Sequence, residues 1–232
     1  MLLRLYKKLF NFKVKFESLD PILSDDDFEP PKIDLGVHIA NIQKKINLQI
    51  LTKNVTDALE KEDQQKLKDV IENQWDGETA FYLANNDNIK KVVKFSIQAL
   101  GNKANLNWID VSCITNMSSL FANSQFNGDI SNWNVSNVTS MECMFANSQF
   151  NGDISKWDVS NVTDMSDMFY KDFDFNGDIS EWNISNVKDM RCLFAKTYSF
   201  DQDISKWKDK MKDVDTANMF LDARKHEGLF KS

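Results

Sequence analysis

Four aspartates, Asp129, Asp153, Asp178 and Asp203, recur at intervals of 24, 25 and 25 residues, each two residues ahead of a serine (Ser131, Ser155, Ser180, Ser205). Carboxylates in file suit a hard cation or a basic side chain, and a close pair could divide general acid and base work. Asn137, Asn161 and Asn186 recur in the same way. The competing reading is structural: Asp, Asn and Ser side chains satisfy loop backbone groups in every copy of a motif. One carboxylate per copy is thin for calcium, which takes about six to eight oxygen ligands. The structural reading is preferred, and no metal is predicted.

Other reactive groups are sparse. His38 and His226 are far apart with no cysteine beside either, which excludes the common zinc spacings. The seven glycines form neither a phosphate-binding loop nor a dinucleotide fingerprint, and no G-x-S-x-G elbow occurs. We expect no catalytic residue, no cofactor and no enzyme activity. Cys143 and Cys192 hold one slot of the motif, two copies apart. At about 4.8 Å per stacked copy their Cα atoms lie roughly 10 Å apart, beyond disulfide reach. With Cys113 they read as free thiols, which fits a reducing compartment.

The elements that position these side chains are copies of one word. Trp108, Trp133, Trp157, Trp182 and Trp207 are spaced by 25, 24, 25 and 25 residues. Phe126 to Phe145 reads FNGDISNWNVSNVTSMECMF, Phe150 to Phe169 reads FNGDISKWDVSNVTDMSDMF, and Phe175 to Phe194 reads FNGDISEWNISNVKDMRCLF. Self-similarity at such a period marks a stacked repeat, whose long regular surface suits binding better than chemistry. Within Phe126–Phe145, Asn127-Gly128 signals a turn with positive φ at the glycine. Asp129–Trp133 is the best strand, and Met141, Met144 and Phe145 share one face of a short helix. Stacking would then build a narrow parallel sheet over Phe, Ile, Trp, Val and Met ladders.

Charge divides the rest of the chain. Residues 1–16 carry five bases and no acid, residues 17–34 carry seven acids against Lys32, and residues 102–232 carry 19 acids against 13 bases. We read 1–34 as a basic segment followed by an acidic linker that holds all three prolines. Residues 35–101 read as a helical region and N-terminal cap. One helix runs through Val37, Ile42, Ile46 and Ile50, and another through Leu67, Val70 and Ile71. A third starts at Asp87, buries Ile89, Val92, Val93, Ile97 and Leu100, and stops at Gly101. Residues 102–220 form about five repeats, and 221–232 a C-terminal cap and tail. No stretch of 18 apolar residues spans a membrane. Lys7 and Lys8 interrupt the first apolar run, and no lipoprotein cysteine precedes Cys113, so a cytoplasmic location is expected.

The word FNGDIS-x-W-[ND]-[VI]-S-N-V-x-x-M-x-x-[ML]-F resembles the repeat of the BspA-like leucine-rich-repeat family, over roughly residues 90–220. The resemblance implies an α/β repeat solenoid, leucine-rich-repeat-like, with short parallel strands plus short helices per coil, beside an α-helical N-terminal region and cap. It also implies a protein-binding or adhesive role, and carries over no catalytic residue.

These readings converge on a non-enzymatic protein-protein interaction scaffold whose acidic face favours a basic protein partner and repels nucleic acid. An alternative is an inhibitor, carried by a phage or mobile element, that blocks a basic nucleic-acid-handling complex. A further one is a membrane-associated adaptor or surface protein making weak contact through residues 1–16. Candidate partner-binding residues are those that vary between fixed copies: Asn132, Lys156, Glu181 and Lys206 before each tryptophan, Glu142 and Arg191 (with Ser166) on an outer face, and the loop aromatics Tyr170, Phe173 and Tyr198. Asp25, Asp26 and Asp27 would serve in the acidic arm.

Overall fold

The computed structural model of the chain describes residues 35–77 and 81–223, with side chains for 40–77 and 81–223. The basic segment, the acidic arm with Asp25, Asp26 and Asp27, and most of the tail lie outside the described residues. Two compact units divide the chain, Met1–Ile42 and Gln43–Ser232. In the first, residues 35–42 are described and are helical, opening helix α1 (Leu35–Glu60). The second holds the other elements: α2 (Gln64–Gln74), β1 (Tyr82–Leu83), α3 (Ile89–Leu100), β2 (Ile109–Asp110) and a 3-10 helix, Ser205–Lys210.

Helix α1 buries Leu51, Val55, Ala58 and Leu59 rather than the stripe expected from Ile46 and Ile50, which stay 42% and 52% exposed. Packing chose the face one position round from the one that spacing alone suggests. Asp63 caps α2 by accepting the Lys66 amide at 2.9 Å, and Leu67, Val70 and Ile71 are buried. Asn88, not Asp87, is the residue before α3. Asn85 and Asn88 exchange side-chain bonds with each other's backbone amides there, leaving Asp87 no capping role. Gly101 ends α3 with φ of 89° and donates its amide to the Ile97 carbonyl at 2.8 Å. Beyond α3, β2 pairs in parallel with β1, and the rings of Phe81 and Tyr82 lie 5.8 and 6.0 Å from Trp108.

From residue 111 to 204 the described backbone consists of turns, bends and single bridges, in place of a strand at 129–133 and a helix at 141–145. Parallel bridges join Asn116 to Ser140, Ser140 to Asp164, Asp164 to Asp189, and Asp189 to Asp215. After each bridge, alternate amides reach the next repeat. Met141 donates to Asp164 O at 2.9 Å, Cys143 to Ser166 O at 2.9 Å, Phe145 to Met168 O at 2.8 Å and Asn147 to Tyr170 O at 2.7 Å. The amides between them fold back: Met144 to Met141 O, Ala146 to Cys143 O and Ser148 to Phe145 O. The same four rungs follow Met117, Met165 and Met190. One segment per repeat thus makes local turns and a sheet-like ladder at once.

That ladder demands left-handed backbone at two places in each repeat. Positive φ falls at Ser119 and Asn123, Cys143 and Asn147, Asp167 and Lys171, Cys192 and Lys196, and Asn218 and Asp222. For residues with a Cβ this conformation costs about 1–2 kcal/mol each. In the first four repeats both left-handed amides form rungs to the following repeat. The glycines of the Asn-Gly pairs, by contrast, are not left-handed; positive φ among described glycines occurs at Gly77 and Gly101. Close approach explains Gly128: a Cβ there would meet the Ala104 carbonyl oxygen at 2.1 Å and the Phe126 ring at 2.7 Å. At Gly177 the nearest atom, on the Phe175 ring, would stand at 3.0 Å. Gly128→Ala is therefore expected to destabilise the fold by about 1–3 kcal/mol, as overpacking does, and Gly177→Ala by less. Urea unfolding of the two variants checks this, and equal losses would contradict it.

Between the ladders lies an aromatic interior. Phe121, Phe145, Phe169, Phe194 and Phe220 stack with centroids 5.4, 5.6, 5.8 and 5.6 Å apart. Phe126, Phe150, Phe175 and Phe200 lie against the first four at 4.8, 4.2, 3.8 and 4.0 Å. Each inner indole donates to the preceding repeat: Trp133 to Leu106 O, Trp157 to Ile130 O and Trp182 to Ile154 O, at 3.0, 3.2 and 3.1 Å. At the two ends the bond is missing, and the buried Nε1 atoms of Trp108 and Trp207 have no partner among the described residues.

Candidate functional site

The recurring polar residues bond the backbone. Asp129, Asp153, Asp178 and Asp203 each accept the amide of the serine two residues on, at 2.9–3.0 Å. Hydrogen bonds from that serine hold Asp153, Asp178 and Asp203 below the usual carboxylate range. At Asp129 burial opposes the shift, and the two bonds from Ser131 outweigh it. Asn137, Asn161 and Asn186 donate to Ser112 O, Ser136 O and Ser160 O of the preceding repeat at 2.6–2.8 Å. The side-chain oxygens of Asn127, Asn151 and Asn176 accept the amides of Asn151, Asn176 and Asp201. The Asn columns are joints between repeats and the Asp column holds turns within each, and a ligand would have to break these bonds.

The variable positions fall into three groups. Asn132, Lys156, Glu181 and Lys206 are all exposed, and Lys206 closes an ion pair on Glu181 one repeat back. Glu142 and Arg191 are exposed on the ladder segment. Arg191 reaches Asp189 at 2.6 Å and Asp215 at 3.7 Å, so it is engaged along its own column. Ser166, expected on that outer face, is instead buried and bonds Asp164 at 2.7 Å. Cys143 and Cys192 are half-buried free thiols. Burial, then the charges of Asp167, Glu142 and Asp164, pushes the Cys143 thiol up, which makes it a poor nucleophile.

The third group is a corner. Just after the ladder, Phe173 and Tyr198 stack at 5.3 Å with planes 7° apart, yet stay 46% and 43% exposed. They pack on each other between adjacent loops and face solvent together. Tyr170 is half-buried beneath the Lys171 ammonium, 5.0 Å from its ring centroid. Leu221, which takes the slot of Tyr170 and Ala195 at the last rung of the ladder, is 48% exposed. Among the described residues after Gly101 the exposed large apolar side chains are Phe173, Tyr198 and Leu221. The earlier repeats carry Gln125 and Gln149 at this level.

Beneath the corner is a group that sequence reasoning missed. Asp172 occupies the slot of Ser124, Ser148 and Thr197, and its side chain is fully buried. Ser148 Oγ donates to Asp172 Oδ2 at 2.6 Å and the Phe150 amide donates to the same oxygen at 3.2 Å. Oδ1 has no hydrogen-bond partner among the described residues. The available signal was an acid in a column otherwise of hydroxyls.

Among the described residues no three His, Cys, Asp or Glu side chains are grouped to hold a metal ion. An open cleft beside α2 and α3 is lined by Glu62, Gln64, Lys91, Lys94, Phe95 and Gln98, with Lys91 paired to Glu62 at 3.6 Å. It brings together no nucleophile and base. A family model described as Mycoplasma protein of unknown function, DUF285, matches residues 88–173 and again 115–231. The two matches overlap, as expected of a word that recurs within the chain. No curated protein and no solved structure matches it.

Proposed function

We propose, on the premise that this chain belongs to the family described as Mycoplasma protein of unknown function, DUF285, that it is a non-enzymatic scaffold that binds another protein. In this reading the repeats form a leucine-rich-repeat-like solenoid of the BspA-like type, working in the cytoplasm. The four-rung ladders and the Asn joints between repeats support the architecture. Three free cysteines, and the lack among described residues of a helix long and apolar enough to cross a membrane, are consistent with the location. The carrying observation is the corner: two adjacent repeats expose the stacked pair Phe173 and Tyr198. Clustered exposed apolar side chains mark interaction sites, and aromatics dominate binding hot spots. Glu142, Asp164 and Asp167 on the adjoining ladder would favour basic residues flanking the partner's apolar anchor.

The test is affinity capture with the whole chain against the double variant Phe173→Ser, Tyr198→Ser. Wild type should retain one dominant protein, and the variant should bind it at least about 30-fold more weakly, the size of a hot-spot loss. Thermal unfolding should stay within about 0.5 kcal/mol of wild type, as for exposed side chains. Equal capture by both would move the site away from the corner. Recovery of chaperones alone by wild type would sink the scaffold reading.

A further inference from the structure

The loop Tyr170–Asp174 is built around a carboxyl group that the repeat has no means to neutralise. Asp172 stands where its neighbours place a hydroxyl, and the hydroxyl chemistry persists on both sides. From the preceding repeat Ser148 Oγ and the Phe150 amide serve Oδ2. On the following repeat the buried Thr197 hydroxyl is turned to the Phe169 carbonyl at 2.6 Å. Lys171, adjacent in the chain, lies over the Tyr170 ring. The charged group that bears on Asp172 is Asp174, of like sign. A carboxylate here would be buried, half-bonded and beside a second acid, which is the costly way to place a charge.

We propose that Asp172 is a proton-operated latch, seated in the fold as the neutral acid and expelled with its loop when the proton leaves for solvent. Burial pushes its pKa up to about 7; the bonds from Ser148 and the Phe150 amide oppose the rise, and the Asp174 charge adds to it. Phe173 follows Asp172 in the chain and stacks on Tyr198. Release of the latch therefore separates the corner's aromatic pair. The latch is independent of whether the corner binds a partner; if it does, binding weakens as pH rises.

Amide hydrogen exchange on the full chain tests this. The Asp172 amide bonds the Phe169 carbonyl at 2.9 Å and reports the loop, and the Phe150 amide, shared at 3.2 Å between Asp172 Oδ2 and Ser148 Oγ, reports it in part. After correction for the intrinsic pH dependence of exchange, their opening should rise about 100-fold from pH 5 to pH 8 and level off above, by proton linkage. The Phe145 and Phe169 amides, which are rungs of the ladder, should keep their protection. In Asp172→Asn the extra opening should vanish. Should that variant fail to fold, Asp172→Ser, the residue of the preceding repeat, replaces it. A carboxyl carbon titration of the wild-type aspartates should show one midpoint near 7, absent from the variant. No aspartate titrating above pH 5, or equal opening in wild type and variant, overturns the latch.

Discussion

Phe169→Ala should cost about 3–5 kcal/mol in unfolding free energy, the range for truncating a fully buried phenylalanine. Phe169 sits at the centre of the stack, with Phe145 at 5.6 Å, Phe194 at 5.8 Å and Phe175 at 3.8 Å from its centroid. Removing the ring leaves a void walled by three aromatics. Those rings are held by rungs on both sides, because Phe145 and Phe169 each donate their amide to the next repeat. Collapse into the void would have to stretch those rungs, so the cavity penalty should be nearly complete. Phe220 is the contrast. It is half-buried at the last described repeat and stacks on Phe194 at 5.6 Å. Phe220→Ala should cost less than half as much. Since repeat arrays are governed by nearest-neighbour interfaces, losing a central ring removes two interfaces and losing a terminal ring about one. Urea denaturation of both variants, followed by tryptophan fluorescence and by circular dichroism, measures the difference. A loss below about 1.5 kcal/mol at Phe169, or equal losses at both sites, would show that the stack is not continuous.

The period and the identity of the stacking side chains were legible because they rest on recurrence. Phe126, Trp133, Val138, Met141 and Phe145 are buried, and so are their counterparts in the next two copies. The bonding of the Asp-Ser and Asn columns was legible for the same reason: short polar side chains in loops have few partners but the backbone. What spacing cannot reveal is which backbone segment carries the inter-repeat bonds. Asp129–Trp133 has the alternation of a strand, but the rungs run through Ser140–Asn147, where Cys143 and Asn147 are left-handed. Nothing in the side chains Ser, Cys or Lys announces positive φ, and Asn and Asp tolerate it without requiring it; neighbouring repeats impose it through the rungs. Gly128 misled in the opposite direction, suggesting positive φ where the need is for an absent Cβ. At α1, Ile46 and Ile50 match the helical period as well as Leu51 and Val55 do, and only packing decides between the faces. The corner was partly legible, through Phe173 and Tyr198. Asp172 becomes visible only when the residues of successive repeats are superposed.

Stability should fall as pH rises from about 4 to 7, opposite to the trend expected for a protein of ion-paired carboxylates. The sign follows from Asp172. Its folded pKa, near 7, lies above the ordinary 3.8, so between these values the folded state binds more protons than the unfolded state. Unfolding free energy then declines with pH and levels off above 7, by an amount on the order of 4 kcal/mol. Below this window the trend reverses. Asp153, Asp178 and Asp203 have folded pKa values beneath 3.8, so the stability they contribute is present above that pH and lost as pH falls through their folded values. The chain should therefore be most stable near pH 4–5, the region between the two groups. Asp172→Asn removes the upper titration and leaves the lower one. It should flatten the profile from pH 5 to 8 and make the variant the more stable protein at pH 8, although the new amide nitrogen meets the place where Oδ1 lacks a partner. The neutral acid of the wild type carries its own O–H at the same partnerless position, so the two proteins should be closest in stability at pH 5 and diverge as pH rises. Urea unfolding at pH 5, 6, 7 and 8 for both proteins supplies the test. Parallel curves would mean that Asp172 does not change its proton occupancy on folding, and the placement of a neutral acid inside the repeat would then be wrong.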